Sequence, residues 1–170
     1  LDKDTTGLLV VAKTLEAQTD LVRQLQARTV RRQYLAVVSG IVARNGTVEA
    51  PIGRHPVHRV RMAVVPETLG GKPAVTHFRV LEEYAHSSLL ECALETGRTH
   101  QIRVHMASIK HPLVGDPVYG KVDPRVPQFH RQALHATRLG LVHPLTRRLQ
   151  QWEAPPPADM LMLLESLRGE

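Results

Sequence analysis

Val30 to Gly40, VRRQYLAVVSG, opens on alternating polar residues and closes in a continuous apolar stretch. That is the pattern of a strand running from an exposed edge into a core. Four further segments, Gly46 to Gly53, Val60 to Val65, Ala74 to Glu83 and Ser88 to Glu95, are short and β-rich, with Gly, Pro or polar breaks between them and a turn at Asn45-Gly46. Together they predict a largely antiparallel sheet.

Working outward, Gly7 to Lys13 (GLLVVAK) reads as a short buried strand behind a polar turn. Thr14 is then an N-cap, and Leu15 to Arg28 is an amphipathic helix with Leu15, Leu21, Val22 and Leu25 on its apolar face. A second helix begins near Thr99, because Ile102, Met106 and Ile109 recur at three and four residues. Ala133 to Leu141 reads as another strand with Gln150 to Glu153 pairing nearby, and Pro157 opens a last helix through ADMLMLLESLRG. The class is α+β in a single domain. Between the second helix and the late strand, His111 to His130 holds four Pro and two Gly and reads as a long ordered loop, functional or merely connecting.

Residues 21 to 63 hold eight Arg and a single acid, Glu49, within a chain of pI about 10.0. Arg in that density neutralises phosphates and stacks on bases, whereas an ordinary solvated surface interleaves both signs. A nucleic-acid partner is therefore expected. The single Cys92 can form no internal disulfide and starts no zinc site, which fits a reducing cytoplasm. No apolar run approaches the ~20 residues that span a bilayer, and the start lacks the pattern of a signal peptide, so neither membrane insertion nor export is expected. The first residue is Leu, so the chain is expected to begin inside something longer.

Two stretches could carry chemistry. Leu1 to Gly7, LDKDTTG, sets two carboxylates and two hydroxyls just ahead of a strand, a place suited to a nucleophile and equally to an ordinary turn. Thr96 to His105, TGRTHQIRVH, packs two Arg and two His around a helix start. On that helix Arg103 lies four residues beyond Thr99 and can reach inward from a rigid element, as a partner that keeps a carboxylate charged or as half of a structural ion pair.

The strings LDKDTTGLLVVAKT, RRQYLAVVSG, ETGRTHQIRVHM, HPLVGDPVYG and RQALHATRLGLVHP, in this order and spacing, resemble the RluA/RluD family of pseudouridine synthases, most closely the RluD type that acts on large-subunit ribosomal RNA. The likeness covers nearly the whole chain. It implies the pseudouridine synthase fold, a mostly antiparallel mixed sheet with flanking helices, and an isomerase of RNA uridine with neither metal nor cofactor. Residue by residue, it puts the catalytic aspartate at Asp2, the active-site tyrosine at Tyr34, the arginine that pairs with the aspartate at Arg103, and an apolar residue of the uracil site at Leu134. Arg98, His100 and Gln101 of the same helix-start motif are expected to bind substrate. The family motif reads His-Arg-Leu-Asp where this chain starts at Leu1. Residues 1–170 are thus expected to be a catalytic-domain fragment, with earlier strands and a small RNA-binding domain lying upstream. A monomer is the family expectation.

The reaction so implied breaks the N1–C1′ bond, turns the uracil and joins C5 to C1′. Asp2 serves the cleavage, and Tyr34 stacks on the base and helps remove the C5 proton. The base must leave its stack, so flanking strand has to be held. Arg54, His55, Arg59 and Arg61 are expected to touch phosphate, the other reading being solvated loop charges.

A non-catalytic RNA-binding module is a rival class, and transfer RNA is a rival substrate for the same isomerase. A metal-dependent hydrolase, suggested by ten His, is not supported, since His55 and His58 fall in a Pro-containing loop and His100 and His105 are five apart.

Overall fold

The computed structural model describes residues 1–170. In chain order the strands are β1 (Thr6–Gly7), β2 (Arg31–Ser39), β3 (Gly46–Glu49), β4 (Ile52–Arg54), β5 (Met62–Val64), β6 (Val75–Glu83), β7 (Ser87–Leu94), β8 (Leu134–Val142) and β9 (Leu149–Glu153). The helices are α1 (Leu15–Gln26), α2 (Gln101–Ser108) and α3 (Ala158–Arg168). One sheet runs β1-β8-β2-β7-β6-β3, with β9 also on β8, and β4–β5 form a separate two-stranded ribbon. Every pairing is antiparallel except β1 with β8. This is the α+β class expected.

β2 lies inside the sheet, between β7 and β8, and is not an edge. Its apolar run is continuous because helices cover both faces. Ala36 and Val38 pack with Ile102 and Met106 of α2, while Val37 packs with Met160, Leu163 and Leu167 of α3. Its polar start runs past the end of this sandwich, so Arg31 is exposed and Arg32 and Gln33 are half-buried. Tyr34 stands at that margin, on the α2 side. Opposite it the register slips, so that Gln33 faces Arg138 and Tyr34 faces Ala136, a bulge of the kind that re-aims side chains beside functional sites.

A chain of buried polar groups registers α2 on β6. The Gln101 amide donates to Thr76 Oγ1 at 2.9 Å, that hydroxyl meets His105 Nδ1 at 2.8 Å, and His105 Nε2 donates to the Ala50 carbonyl at 2.8 Å. Gln101 and His105 are four apart on one face. Arg103 sits about 200° around the helix from Gln101, so fixing that pair against β6 aims Arg103 the other way.

Three expectations need correction. The first strand is two residues long, not seven. β9 occupies the edge of β8 from Arg138 to Val142, so β1 can pair only with His135 and Ala136. After the Leu8 N–H bond to the Ala136 carbonyl the chain leaves the sheet, and Leu9 and Val11 are 63% and 74% exposed. Gly7 is obligatory at this crossing, with φ 114° and the Ala136 carbonyl oxygen 2.2 Å from where a Cβ would stand. Second, α1 is capped by Thr14 as read, its Oγ1 accepting from the Ala17 N–H at 3.1 Å, but it docks by its polar side. The Gln24 amide exchanges two hydrogen bonds with the backbone of Val142, and Asp20 binds Arg147, which leaves Leu15 and Val22 exposed. The end of β8 offers free backbone groups here and no apolar seat, so polar pairing decides the orientation. Third, the segment Gly46 to Gly53 is two strands, because the chain turns at Ala50–Pro51 from the large sheet into the ribbon.

Candidate active site

Asp2 lies in a turn ahead of β1 that is tied down from the loop before β8. Thr5 N–H closes the turn on the Asp2 carbonyl at 3.1 Å. Buried Gln132 donates to the Lys3 carbonyl at 2.6 Å and to Thr5 Oγ1 at 3.0 Å, and buried Arg131 donates to the Asp4 carbonyl at 3.1 Å. Asp4 itself sits at φ 67°, a left-handed conformation that such anchoring holds in place. Arg131 is fixed in turn by two bonds to Asp159, in the first turn of α3, at 2.8 and 3.0 Å.

Arg103, buried in α2, meets this turn from beneath. Nε and Nη2 form a forked pair with Asp116 at 2.8 and 3.0 Å, while Nη1 reaches Asp2 Oδ2 at 3.4 Å. Burial by itself would pull the guanidinium down, but the hydrogen bonds and charge of Asp116, with the charge of Asp2, outweigh it and hold Arg103 above its ordinary value. Burial would push Asp116 up, and Arg103 with the N–H groups of Tyr119 and Val118 reverses that, keeping it a carboxylate. Asp116 consumes two of the arginine's edges. The third is left for Asp2, whose Oδ1 is free of Arg103.

Asp2 and Tyr34 line one cleft of about 540 Å³, floored by Leu134 and Ile102 and entered past Arg98 and Arg138. Burial raises the Tyr34 hydroxyl above its ordinary value, nearby Arg32 opposing and Asp2 adding to the rise, so Tyr34 rests as the neutral phenol. Of the residues singled out from sequence, the structure thus gathers Asp2, Tyr34, Leu134, Arg98 and Gln101 around one cavity with Arg103 behind Asp2.

Not all of the singled-out residues offer the cleft a free group, and His100, Arg54, His55, Arg59 and Arg61 lie outside it. Gln101 touches the cleft, yet its amide is fully committed to Thr96, Val75, Thr76 and the Arg98 N–H, so no donor or acceptor remains for a ligand. His100 packs on Tyr119, with Nδ1 2.8 Å from the Tyr119 hydroxyl, and burial keeps it below its ordinary value and uncharged at neutral pH. Arg54, Arg59 and Arg61 are exposed on the β4–β5 ribbon, and His55 organises its loop by accepting from the Val57 and His58 N–H groups at 3.1 and 3.0 Å. The Tyr119 hydroxyl accepts from the Met62 N–H at 2.9 Å, and the Arg103 guanidinium lies 5.2 Å from its ring centre, which joins the ribbon to the cleft.

Asp116, Arg131, Gln132 and Tyr119 were not singled out from sequence. The one available signal was Asp116, an acid enclosed by Gly115 and Pro117 in the otherwise apolar run from Pro112 to Val118. No three His, Cys, Asp or Glu side chains are grouped so as to hold a metal ion.

Comparison with known proteins decides what this arrangement belongs to. A family model described as RNA pseudouridylate synthase matches residues 1–108. The chain belongs to that family. It is 61% identical over 175 residues to ribosomal large subunit pseudouridine synthase D of Nitrosomonas europaea, covering 99% of this chain and 50% of the relative. Against the enzyme of the same name in Escherichia coli (strain K12) it is 54% identical over 182 residues, covering 100% and 55%. Human RNA pseudouridylate synthase domain containing 1 has the same fold, with a TM-score of 0.78 at 30% identity over all of this chain and 78% of that one. The chain spans about half the length of the curated relatives it matches. Its fold is that of the pseudouridine synthases, in keeping with the resemblance read from the motifs.

Proposed function

We propose that this chain isomerises uridine to pseudouridine in RNA, with large-subunit ribosomal RNA as the substrate. The observation that carries the reading is the Asp2 carboxylate, held by Arg103 at the head of a nucleotide-sized cleft that also contains Tyr34. The names of the similar relatives give the substrate class.

The chemistry asks for few parts. Breaking N1–C1′ builds positive character at C1′, which the side-chain oxygens of a fixed Asp2 stabilise, and its orientation is set before substrate arrives. The freed uracil stays in the cleft on the apolar floor formed by Leu134 and turns. C5 then bonds C1′, and the ring is restored as C5 loses its proton and N1 gains one, with the neutral Tyr34 phenol beside the base to relay it, taking one proton as it gives up its own. The atoms that enter all leave in the product. A uridine out of its helix costs a few kcal/mol of unstacking, and the positive entrance and ribbon (Arg98, Arg54, Arg59, Arg61) supply phosphate contacts toward that cost.

Mass mapping of pseudouridine in RNA from cells lacking the full-length protein tests the reading. One or more large-subunit sites revert to uridine, rescue by wild type restores them, and rescue by Asp2→Asn does not. A full rescue by Asp2→Asn leaves an RNA-binding module, and loss confined to transfer RNA moves the substrate there.

A further inference from the structure

Arg32 is a cation that the fold leaves without a counter-charge. It stands on β2 two residues before Tyr34, on the same side of the strand by the two-residue alternation, and lines the same cleft. Its Nε is buried and has no hydrogen-bond partner, and the guanidinium's one hydrogen bond is a long one of 3.5 Å from Nη2 to the Glu95 backbone carbonyl. The Glu95 carboxylate is taken by His77 at 2.6 Å and Arg28 at 3.3 Å. The other arginines near the cleft have no buried nitrogen left over: Arg103 meets two carboxylates and Arg138 meets Glu153, while Arg98, also without a counter-charge, has its Nε on the Pro73 carbonyl at 2.8 Å. Room for the guanidinium is kept by Gly97, where a Cβ would stand 2.3 Å from Nη1. Burial draws Arg32 down from its ordinary value without neutralising it, and a desolvated charge with no partner destabilises a fold.

We propose that Arg32 binds a phosphate of the RNA strand directly flanking the target uridine, so that the substrate supplies the anion the fold omits. This rests on the isomerase reading. It assigns to β2 two tasks at adjacent same-face positions: Tyr34 takes the base and Arg32 takes the backbone that carries it. A guanidinium fork suits a phosphate's paired oxygens better than an ammonium does. Gly97, within a helix-start motif that otherwise supplies Arg98 and Arg103, gains a reason to lack a side chain.

The test uses the full-length protein and a ribosomal RNA fragment containing its mapped uridine, in single-turnover assays. Each linkage beside the uridine is made in turn as an uncharged methylphosphonate on a 2′-O-methyl sugar and compared with the charged 2′-O-methyl diester. Arg32→Gln is expected to lose about 10- to 100-fold in kcat/KM, the size of a charge-assisted hydrogen bond. One methylphosphonate should cost wild type a similar factor and cost Arg32→Gln nothing further. Gly97→Ala, which displaces the guanidinium and keeps its charge, should resemble Arg32→Gln, and Arg32→Lys should recover part of the loss. Losses that multiply, or wild type indifferent to both methylphosphonates, overturn the proposal. The second of these needs no variant to fold. Absence of pseudouridine with the unmodified fragment and wild type would instead sink the isomerase reading itself.

Discussion

Two basic regions of this molecule use arginine in opposite ways. Around Arg103 every charge answers another: Asp116 grips two edges of the guanidinium, Asp2 receives the third, and the Asp2 turn is held by Arg131 and Gln132, with Arg131 fixed by Asp159. On the β4–β5 ribbon, Arg54, Arg59 and Arg61 are exposed and in no ion pair. A buried guanidinium must be matched or it destabilises, and matching fixes its geometry, which a catalytic group requires. An exposed one remains hydrated and available to phosphate. The same residue type is a positioning device in one place and an electrostatic surface in the other.

The largest effect that sharpens this contrast is at Asp116. Asp116→Ala leaves Arg103 buried with two edges unmatched, and denaturant unfolding should show a loss of about 3–5 kcal/mol. Pseudouridine formation should fall as well, because Arg103 is then free to turn from Asp2. Gln132→Ala acts on the turn alone. It should cost about 1–3 kcal/mol in stability and lower kcat more than it raises KM, since the substrate's other contacts survive.

Acid should loosen the paired region. The Asp159 carboxyl is held at about 2, against 3.8 ordinarily, chiefly by its hydrogen bonds from Arg131. A carboxyl whose folded value lies below its unfolded one stabilises the fold above the unfolded value and ceases to as the pH falls through the folded one. Stability should therefore drop between about pH 4 and pH 2, and Asp159→Asn should flatten that slope in acid titrations followed by circular dichroism. The smallest effect on the fold belongs to the ribbon. Glu in place of Arg54, Arg59 and Arg61 should leave stability within about 0.5 kcal/mol while weakening RNA binding, with the salt slope of log Kd reduced by about one per lost phosphate contact. Unchanged affinity and slope would show these arginines to be solvated charges and no more.

What could be read from the sequence follows the same division. Local signals were legible: the apolar end of β2, the Thr14 cap, the three- and four-residue spacing of Ile102, Met106 and Ile109, and the inward reach of Arg103 that this spacing dictates. Relations across the sheet were not. That β1 stops after two residues depends on β9 holding the neighbouring edge, and that α1 turns its Leu and Val outward depends on free backbone groups at Val142. Asp116, Gln132 and Arg32 carry no periodic mark. Their significance lies in what stands opposite, or, for Arg32, in what does not.

The central claim is that Asp2, held by Arg103, performs the glycosidic step and that Tyr34 serves the last one. Release of tritium from large-subunit ribosomal RNA labelled at C5 of uridine, measured with the full-length protein, tests it most directly, because that hydrogen departs only when C5 has bonded C1′. Wild type should release label; Asp2→Asn should release it at least about 10³-fold more slowly, and Tyr34→Phe about 10²-fold or more, each with RNA affinity within about twofold of wild type. Release by Asp2→Asn at the wild-type rate would contradict the account.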